Sequence, residues 1–412
     1  MDIIIINITI IKFICKEIDI MKSELTKRII CLQSEMSKHK LDAYILTAEE
    51  SLLYFTGMSY KPEERAFFMI VPSKGKPIFL SPKLEEKHLA KITIECDIKS
   101  YWEATSAEGE NWYDILESIM KPFKRVGVEN TISYNILNKI VVNEMVILNL
   151  VDEMRKVKTP YEIEMIRRTA QISDLGMEKI FNNAYVGATV LEMFMLSNGI
   201  QKQLIREKNF DPILSSLTSV VWPAPKSYMP HSIPNVDDKL IRGSNVAMTY
   251  YKINGYTSEC ERTFFLGKPS TEDLVHFNHM MKARNIALDL VKPGTKCSDI
   301  DVAAREYLIK NDYESNLLHR TGHGIGLSNH ETPFISLGDD EPLKENMVIS
   351  IEPGIYIDGV GGYRHSDTVL ITKNGYELLT KFPIDVDSMI VKSKNMKSKI
   401  KGTVVRKALK IK

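Results

Sequence analysis

NVAMTYYKINGYTSECERTFFL, residues 245–266, decides how the second half of this 412-residue chain folds. Asn254-Gly255 is a strong two-residue hairpin signal, because a type I′ turn needs positive φ at both positions. It divides two runs of β-type residues, Asn245–Ile253 and Tyr256–Leu266. Ile253 then faces Tyr256, Tyr250 faces Glu259 and Met248 faces Glu261. Side chains alternate along a strand, so Met248, Tyr250, Glu259 and Glu261 are expected on one face. Cys260 and Arg262 fall on the other, as packing and a structural ion pair. Two acids beside apolar neighbours mark either a solvated edge or a functional face.

The pattern extends outward on both sides. Thr159-Pro160-Tyr161-Glu162 is a capping box with proline at the first helical position, and Thr189 with Glu192 repeats the box. After the hairpin, a helix is expected from near Thr271 to a break at Pro293-Gly294, then a helix capped by Ser298. Strands are expected at Met347–Ile351 and Thr368–Thr372. Helix, helix, strand pair, twice over, points to two pseudo-equivalent halves packing helices on one curved antiparallel sheet. Ahead of this, Leu25, Ile29, Leu32 and Met36 give one helical face. Short β-type runs follow at Ala43–Leu46, Ala66–Val71 and Pro77–Leu80, with apolar runs at Val126–Val128 and Leu148–Val151. The expected division is an α/β domain over 21–155 and an α+β domain over 156–387.

Two appendages flank these domains. Residues 1–20 hold ten isoleucines, but Asp2 stands where a signal peptide has its basic region, and the stretch is too short to span a membrane. A dispensable arm or an upstream mis-start before Met21 is the expectation. Residues 388–412 carry nine Lys/Arg and no acid. They read as a solvated flexible tail with a possible nucleic-acid contact, although aromatic residues for base stacking are absent. The whole chain has 54 basic against 53 acidic residues, so without this tail the body is acidic. That balance excludes a uniformly basic nucleic-acid binder. Five scattered cysteines without CxxC spacing fit a reducing, cytoplasmic setting.

Beyond the hairpin, four stretches concentrate polar residues that a core would not select. They are Gly322-His323-Gly324-Ile325-Gly326 with His330-Glu331-Thr332-Pro333, then ISIEPG (349–354) around Glu352, GGYRHSD (361–367), and His231 in MPHSIP (229–234). Glycines around His323 let backbone approach a ligand, and a glutamate inside an apolar strand needs a partner or a function. Carboxylates and histidines converging on a curved sheet read as a hydrolytic site.

GYTSECERTF, TGHGIGLSNHETP, ISIEPGIY and YRHSD, with RKVKTPYEIEMIRRTAQI (155–172) ahead of them, resemble the pita-bread family of methionine aminopeptidase, aminopeptidase P, prolidase and creatinase. LDAYILTAEESLLYFTG (41–57) is similar to the creatinase-type N-terminal domain. The resemblance implies a creatinase-like α/β domain followed by a pita-bread (pseudo-twofold α-α-β) catalytic domain, and usually a homodimer. Peptidases of this family hold two metal ions with Asp, Asp, His, Glu and Glu. Carried over, these positions fall on Met248, Glu259, His323, Glu352 and Ser366, so two ligands are lost and one is lengthened. A thioether is a poor partner for hard divalent ions, and a two-metal clamp needs its carboxylates. One weak site from Glu259, His323 and Glu352 is still compatible with three ligands plus water.

Creatinase is similar in lacking the metal. The resemblance places its catalytic histidine on His231, its glutamates on Glu261 and Glu352, and a substrate-gripping arginine from across its dimer on Arg65. The expectation is metal-independent hydrolysis of an amide or amidine C–N bond in a small, carboxylate-bearing substrate, with no cofactor and no membrane partner. In it His231 is the general acid/base, oriented by Glu261 and Glu352. His330 is a further catalytic residue, and His323, Arg65 and Tyr250 bind substrate. Creatine-like guanidino acids, cyclic amidines such as ectoine, and proline dipeptides fit this class. One alternative is a Xaa-Pro dipeptidase or aminopeptidase using one divalent Mn, Co or Zn, with Glu261, His365 or Asp367 as substitute ligands. The other is a non-catalytic binding module.

Overall fold

The computed structural model describes residues 21–408, except 59, 61, 62, 91, 104–106, 209 and 392–395. The apolar extension 1–20 lies outside the described residues. The chain forms two compact units, Met1–Met154 and Arg155–Lys412.

In the first unit, Leu25, Ile29, Leu32 and Met36 are buried along the helix over 21–38. Six strands follow: β1 (Ala43–Leu46), β2 (Phe68–Pro72), β3 (Ile78–Pro82), β4 (Asp97–Tyr101), β5 (Arg125–Val128) and β6 (Glu144–Ile147). They are ordered β4-β3-β2-β1-β5-β6, with β2 antiparallel to both neighbours and the other pairings parallel. β1 and β2 are buried along their whole length, so AYIL and FMIVP are unbroken apolar runs. The apolar run Leu148–Val151 is not a strand. β6 ends just before it, and Leu150–Lys156 is a helix, with acids in its first turn and bases in its last.

The second unit contains the strands β7 (Ser216–Trp222), β8 (Ser244–Ile253), β9 (Tyr256–Leu266), β10 (Gly322–Gly324), β11 (Glu331–Ile335), β12 (Val348–Ile351), β13 (Gly354–Ile357), β14 (Gly361–Arg364), β15 (Ser366–Thr372), β16 (Gly375–Leu378) and β17 (Ile390–Val391). The main sheet runs β11-β10-β12-β15-β9-β8-β7, with β16 on β15 and β17 on β9; β13 and β14 pair separately. Only the short β17 joins it in parallel. Helices Pro160–Asn183 and Thr271–Leu290 each precede strands of this sheet, as the recurrence in the sequence implies. Asn254 and Gly255 have φ of 49° and 94°, and the hairpin pairs Ile253 with Tyr256, Tyr250 with Glu259 and Met248 with Glu261. Gly176 lets Pro160–Asn183 lie close on β8: a Cβ there would fall 2.2 Å from the Tyr251 hydroxyl.

Both capping boxes form. Ser298 is not a cap. Its helix is Cys297–Ile309, and its hydroxyl donates to Asp340 at 2.6 Å. The free N–H groups of Cys297 and Ser298 instead reach the Glu341 and Asp339 carbonyls at 3.0 and 2.8 Å, so no side-chain cap is required. The basic tail also differs from the expectation. Met396–Ala408 is a helix, tied to the unit by an Arg406–Glu192 ion pair and by Arg406 donating to the Tyr185 hydroxyl at 3.0 Å. Among the described residues, no helix is long and apolar enough to cross a membrane.

One buried ionic node ties the sheet together. Asp367 on β15 accepts from Arg262 of β9 at 2.7 Å, from Arg284 of Thr271–Leu290 at 2.5 Å, and from Thr380 at 2.9 Å. Arg262 also donates to the carbonyls of Ser366, Phe382 and Pro383 at 2.8, 2.8 and 3.0 Å. All three charged side chains are almost fully buried. Burial raises the Asp367 carboxyl, but Arg262 and Arg284 outweigh it and hold it below the usual range. A lowered carboxylate contributes stability above its unfolded-state pKa and loses it as pH falls through the folded value. Asp367→Ala is therefore expected to cost about 3–5 kcal/mol of unfolding free energy at neutral pH, because two guanidiniums stay buried and unpaired. Urea unfolding at pH 7 and pH 3 checks this; a loss below about 1 kcal/mol at pH 7 contradicts the assignment.

Candidate active site

Residues of β7, β8, β9, β11 and β14, with the loops near them, line a cavity of about 620 Å³. Its lining includes His231, Met248, Glu259, Glu261, Asn329, His330, Glu352 and Arg364. The sequence therefore brought most of its candidates to one place. Tyr250, Tyr228 and Tyr251 are not among the lining residues. Tyr251 is a core residue bonded to Ser219. Arg65 pairs with Glu103 at 2.8 Å and Glu64 at 3.2 Å inside the first unit.

The strand alternation that put Glu259 and Glu261 together also decides their partners. Glu259 accepts from the Ser366 hydroxyl at 2.6 Å and from the Asn329 amide at 2.9 Å. Glu261 is clasped by Arg364, whose Nη2 donates at 2.7 Å while Nε meets the second oxygen. Arg364 also donates to the Tyr356 hydroxyl at 3.0 Å, and that hydroxyl meets His319 Nε2 at 2.7 Å. Burial pushes the Glu261 carboxyl well above the carboxylate range, against the pull of Arg364. Sequence reasoning missed Arg364, Asn329, His319 and Tyr356 as site residues. Arg364 did leave a signal: it lies inside YRHSD, and a buried glutamate needs a cation.

His323 and Glu352 form the other half. The imidazole directs Nδ1 at the Gly324 carbonyl (3.1 Å) and Nε2 at a Glu352 oxygen (3.0 Å), so both ring nitrogens face acceptors. Burial favours the neutral ring, but the Glu352 bond and charge outweigh it and raise the His323 pKa. Burial likewise raises Glu352, yet the His323 hydrogen bond and charge pull it down to about 2. His330 lies against His323, ring centroids 4.0 Å apart, and burial followed by the His323 charge lowers it to about 4.

The glycines of GHGIG serve chain packing rather than ligand approach. A Cβ at Gly322 would fall 2.1 Å from the Ser350 carbonyl, and one at Gly324 2.4 Å from the Thr332 carbonyl. They let β10 fit between β11 and β12. Glu331 is structural as well: Arg155 and Lys158 donate to it at 2.5 and 2.8 Å, which anchors the turn carrying Asn329 and His330. His365 and Asp367, offered as substitute ligands, do not line the cavity, and Asp367 is committed to two arginines.

The donor set does not fit a dinuclear metal centre. Met248 offers a thioether, Ser366 a neutral hydroxyl already given to Glu259, and Glu261 is held by Arg364. A single ion fits better. Ligand atoms of Glu259, His323 and His330 lie within 4.8 Å of one another, as do those of Glu259, Glu261 and Glu352. The His323 Nδ1 bond to backbone is also the kind of outer contact that orients a ligating imidazole.

The chain is similar to known proteins over most of its length. Metallopeptidase family M24 matches residues 164–373, and the Creatinase/Prolidase N-terminal domain matches residues 28–157. A Xaa-Pro dipeptidase of Pyrococcus furiosus is 30% identical over 367 residues, covering 86% of this chain and 98% of the relative. An uncharacterized peptidase of Staphylococcus haemolyticus is 30% identical over 362 residues, covering 85% and 98%. Among solved structures, a Xaa-Pro dipeptidase from Bacillus anthracis superposes with a TM-score of 0.76 at 25% identity, covering 88% and 99% of the two chains. A recombinant prolidase from Thermococcus sibiricus gives 0.77 at 27%, covering 88% and 98%. With its creatinase-type N-terminal domain and pita-bread catalytic domain, this chain belongs to metallopeptidase family M24 and is a hydrolase.

Proposed function

We propose that the chain hydrolyses the amide C–N bond of a small, carboxylate-bearing substrate of the Xaa-Pro dipeptide class, without a dinuclear metal centre. The observation that supports it best is one cavity lined by three glutamates (Glu259, Glu261, Glu352) and three histidines (His231, His319, His330), with Met248 where the family's first aspartate would stand. The relatives named Xaa-Pro dipeptidase support the dipeptide class, and the family description supports a bound metal. Glu259, His323 and Glu352, with Glu261 or His330 adjacent, are the donors that would hold it. Such an ion polarises a carbonyl and lowers the pKa of water. In this reading the protein works as a homodimer, as the resemblance implies, in the cytoplasm, as its scattered cysteines suggest.

The chain's own groups account for orientation and proton handling. Glu352 at about 2 is a weak base, so its service is fixed negative charge beside His323. His330, neutral near pH 7, can hydrogen-bond the substrate carbonyl without adding a second positive ring beside His323. His231 is exposed on the cavity lining, where an imidazole can pass a proton to a leaving amine. The placement of His231, Glu261 and Glu352 on one cavity favours a second, creatinase-like reading, in which His231 carries the proton transfer without a metal.

A panel of Xaa-Pro dipeptides, creatine and ectoine, assayed with and without EDTA, tests the reading. Turnover of a dipeptide, lost to EDTA and restored by Mn, Co or Zn, is expected of the single-ion form. Turnover indifferent to EDTA selects the metal-independent form, and turnover only of creatine or ectoine rejects the dipeptide class. Glu352→Gln is expected to lower kcat by about 10²–10⁴-fold in either form; unchanged activity removes Glu352 from the site.

A further inference from the structure

The helix Met396–Ala408 is seated inside out. Residues four apart share a helical face, so 398, 402 and 406 form one side and 396, 400 and 404 the opposite one. The first side meets the catalytic unit. Ser398 donates to the Asn183 side chain at 3.2 Å, and Arg406 pairs with Glu192 and donates to the Tyr185 hydroxyl. Gly402 lets the helix close on that patch: a Cβ there would fall 1.9 Å from a Glu192 oxygen. The second side carries Met396, Ile400 and Val404, which are 72%, 61% and 62% exposed. A surface helix ordinarily buries its apolar side and shows its polar one. Here polar contacts hold the helix down and three apolar side chains stand in solvent.

Charge decides what can cover this stripe. The helix holds Lys397, Lys399, Lys401, Arg406 and Lys407 and no acid. Arg406 is committed to Glu192, while Lys399 and Lys407 are exposed. Pairing with the same helix of a second copy would set cation against cation. A nucleic acid would meet the cations but leave the stripe in water, with no aromatic ring for base stacking. An anionic bilayer meets both needs: aliphatic side chains enter the headgroup boundary while lysines stay beside the lipid phosphates.

We propose that Met396–Ala408 docks the protein on an anionic lipid surface, lying flat with Met396, Ile400 and Val404 turned into it. The helix stays on that surface, being neither long nor apolar enough to cross. The expectation of no membrane partner took this segment for a flexible tail, and a helix fixed on the catalytic unit changes that reading.

Cosedimentation of the full chain with vesicles of phosphatidylcholine, alone or mixed with phosphatidylglycerol, tests the proposal. The intact chain is expected to bind the mixed vesicles at least about tenfold more tightly, and to be released by raised salt. Lys399→Glu combined with Lys407→Glu should weaken binding about 20-fold or more, since each lysine near the surface counts for about fivefold. Ile400→Glu should abolish it, with Val404→Glu as an independent second variant. These four side chains are exposed, so the unfolding midpoint is expected to hold in every variant. No binding to the mixed vesicles, or binding that Ile400→Glu and Val404→Glu leave unchanged, overturns the proposal. A DNA duplex bound in preference to the vesicles, and equally well by Ile400→Glu, overturns it in favour of a nucleic-acid contact.

Discussion

Asp367, buried between Arg262 and Arg284, is the contact on which the rest of the catalytic unit depends. A lone carboxylate in that position would be prohibitively costly, and so would either guanidinium without it. Together they lock β15 to β9 and to Thr271–Leu290. That lock sets Asp367 opposite Cys260 and therefore Ser366 opposite Glu261. Because strand side chains alternate, everything with the parity of Asp367 packs inward, while Glu261 lines the cavity and Ser366 on the same face donates to Glu259. The position of the site follows from this register.

Within the site, charge is balanced by the chain itself. Arg364 meets Glu261, the Ser366 hydroxyl and Asn329 meet Glu259, and His323 meets Glu352. The family's first aspartate position is Met248, whose ladder partner is Glu261. Directly opposed Cβ atoms lie about 4.5–5.5 Å apart, so a carboxylate absent from β8 is present one ladder step across on β9. Transposition keeps the negative charge of the wall but changes its partner from a metal ligand set to an arginine. The residues at these positions do not fit the family's dinuclear ligand set, while the fold of the family is retained.

Local signals in the sequence were sufficient for local structure. Asn254-Gly255 specified the hairpin and its register, Thr159 and Glu162 specified a helix start, and alternation separated Glu259 and Glu261 from Cys260 and Arg262. Ser298 failed as a cap because the backbone carbonyls that replace it come from 339 and 341, some forty residues on. The C-terminal helix was read as a flexible tail because its anchor, Glu192, lies more than two hundred residues upstream. Arg364 was legible as a residue but not as a role: it is defined by Glu261 on another strand, and that pairing is not written in its neighbouring residues.

Metal stoichiometry tests the central claim most directly. The account predicts that chain saturated with Mn²⁺, desalted and analysed by plasma mass spectrometry retains no more than one ion, and that Met248→Asp with Ser366→Glu raises the count. Two ions bound per chain with Met248 and Ser366 in place would contradict it.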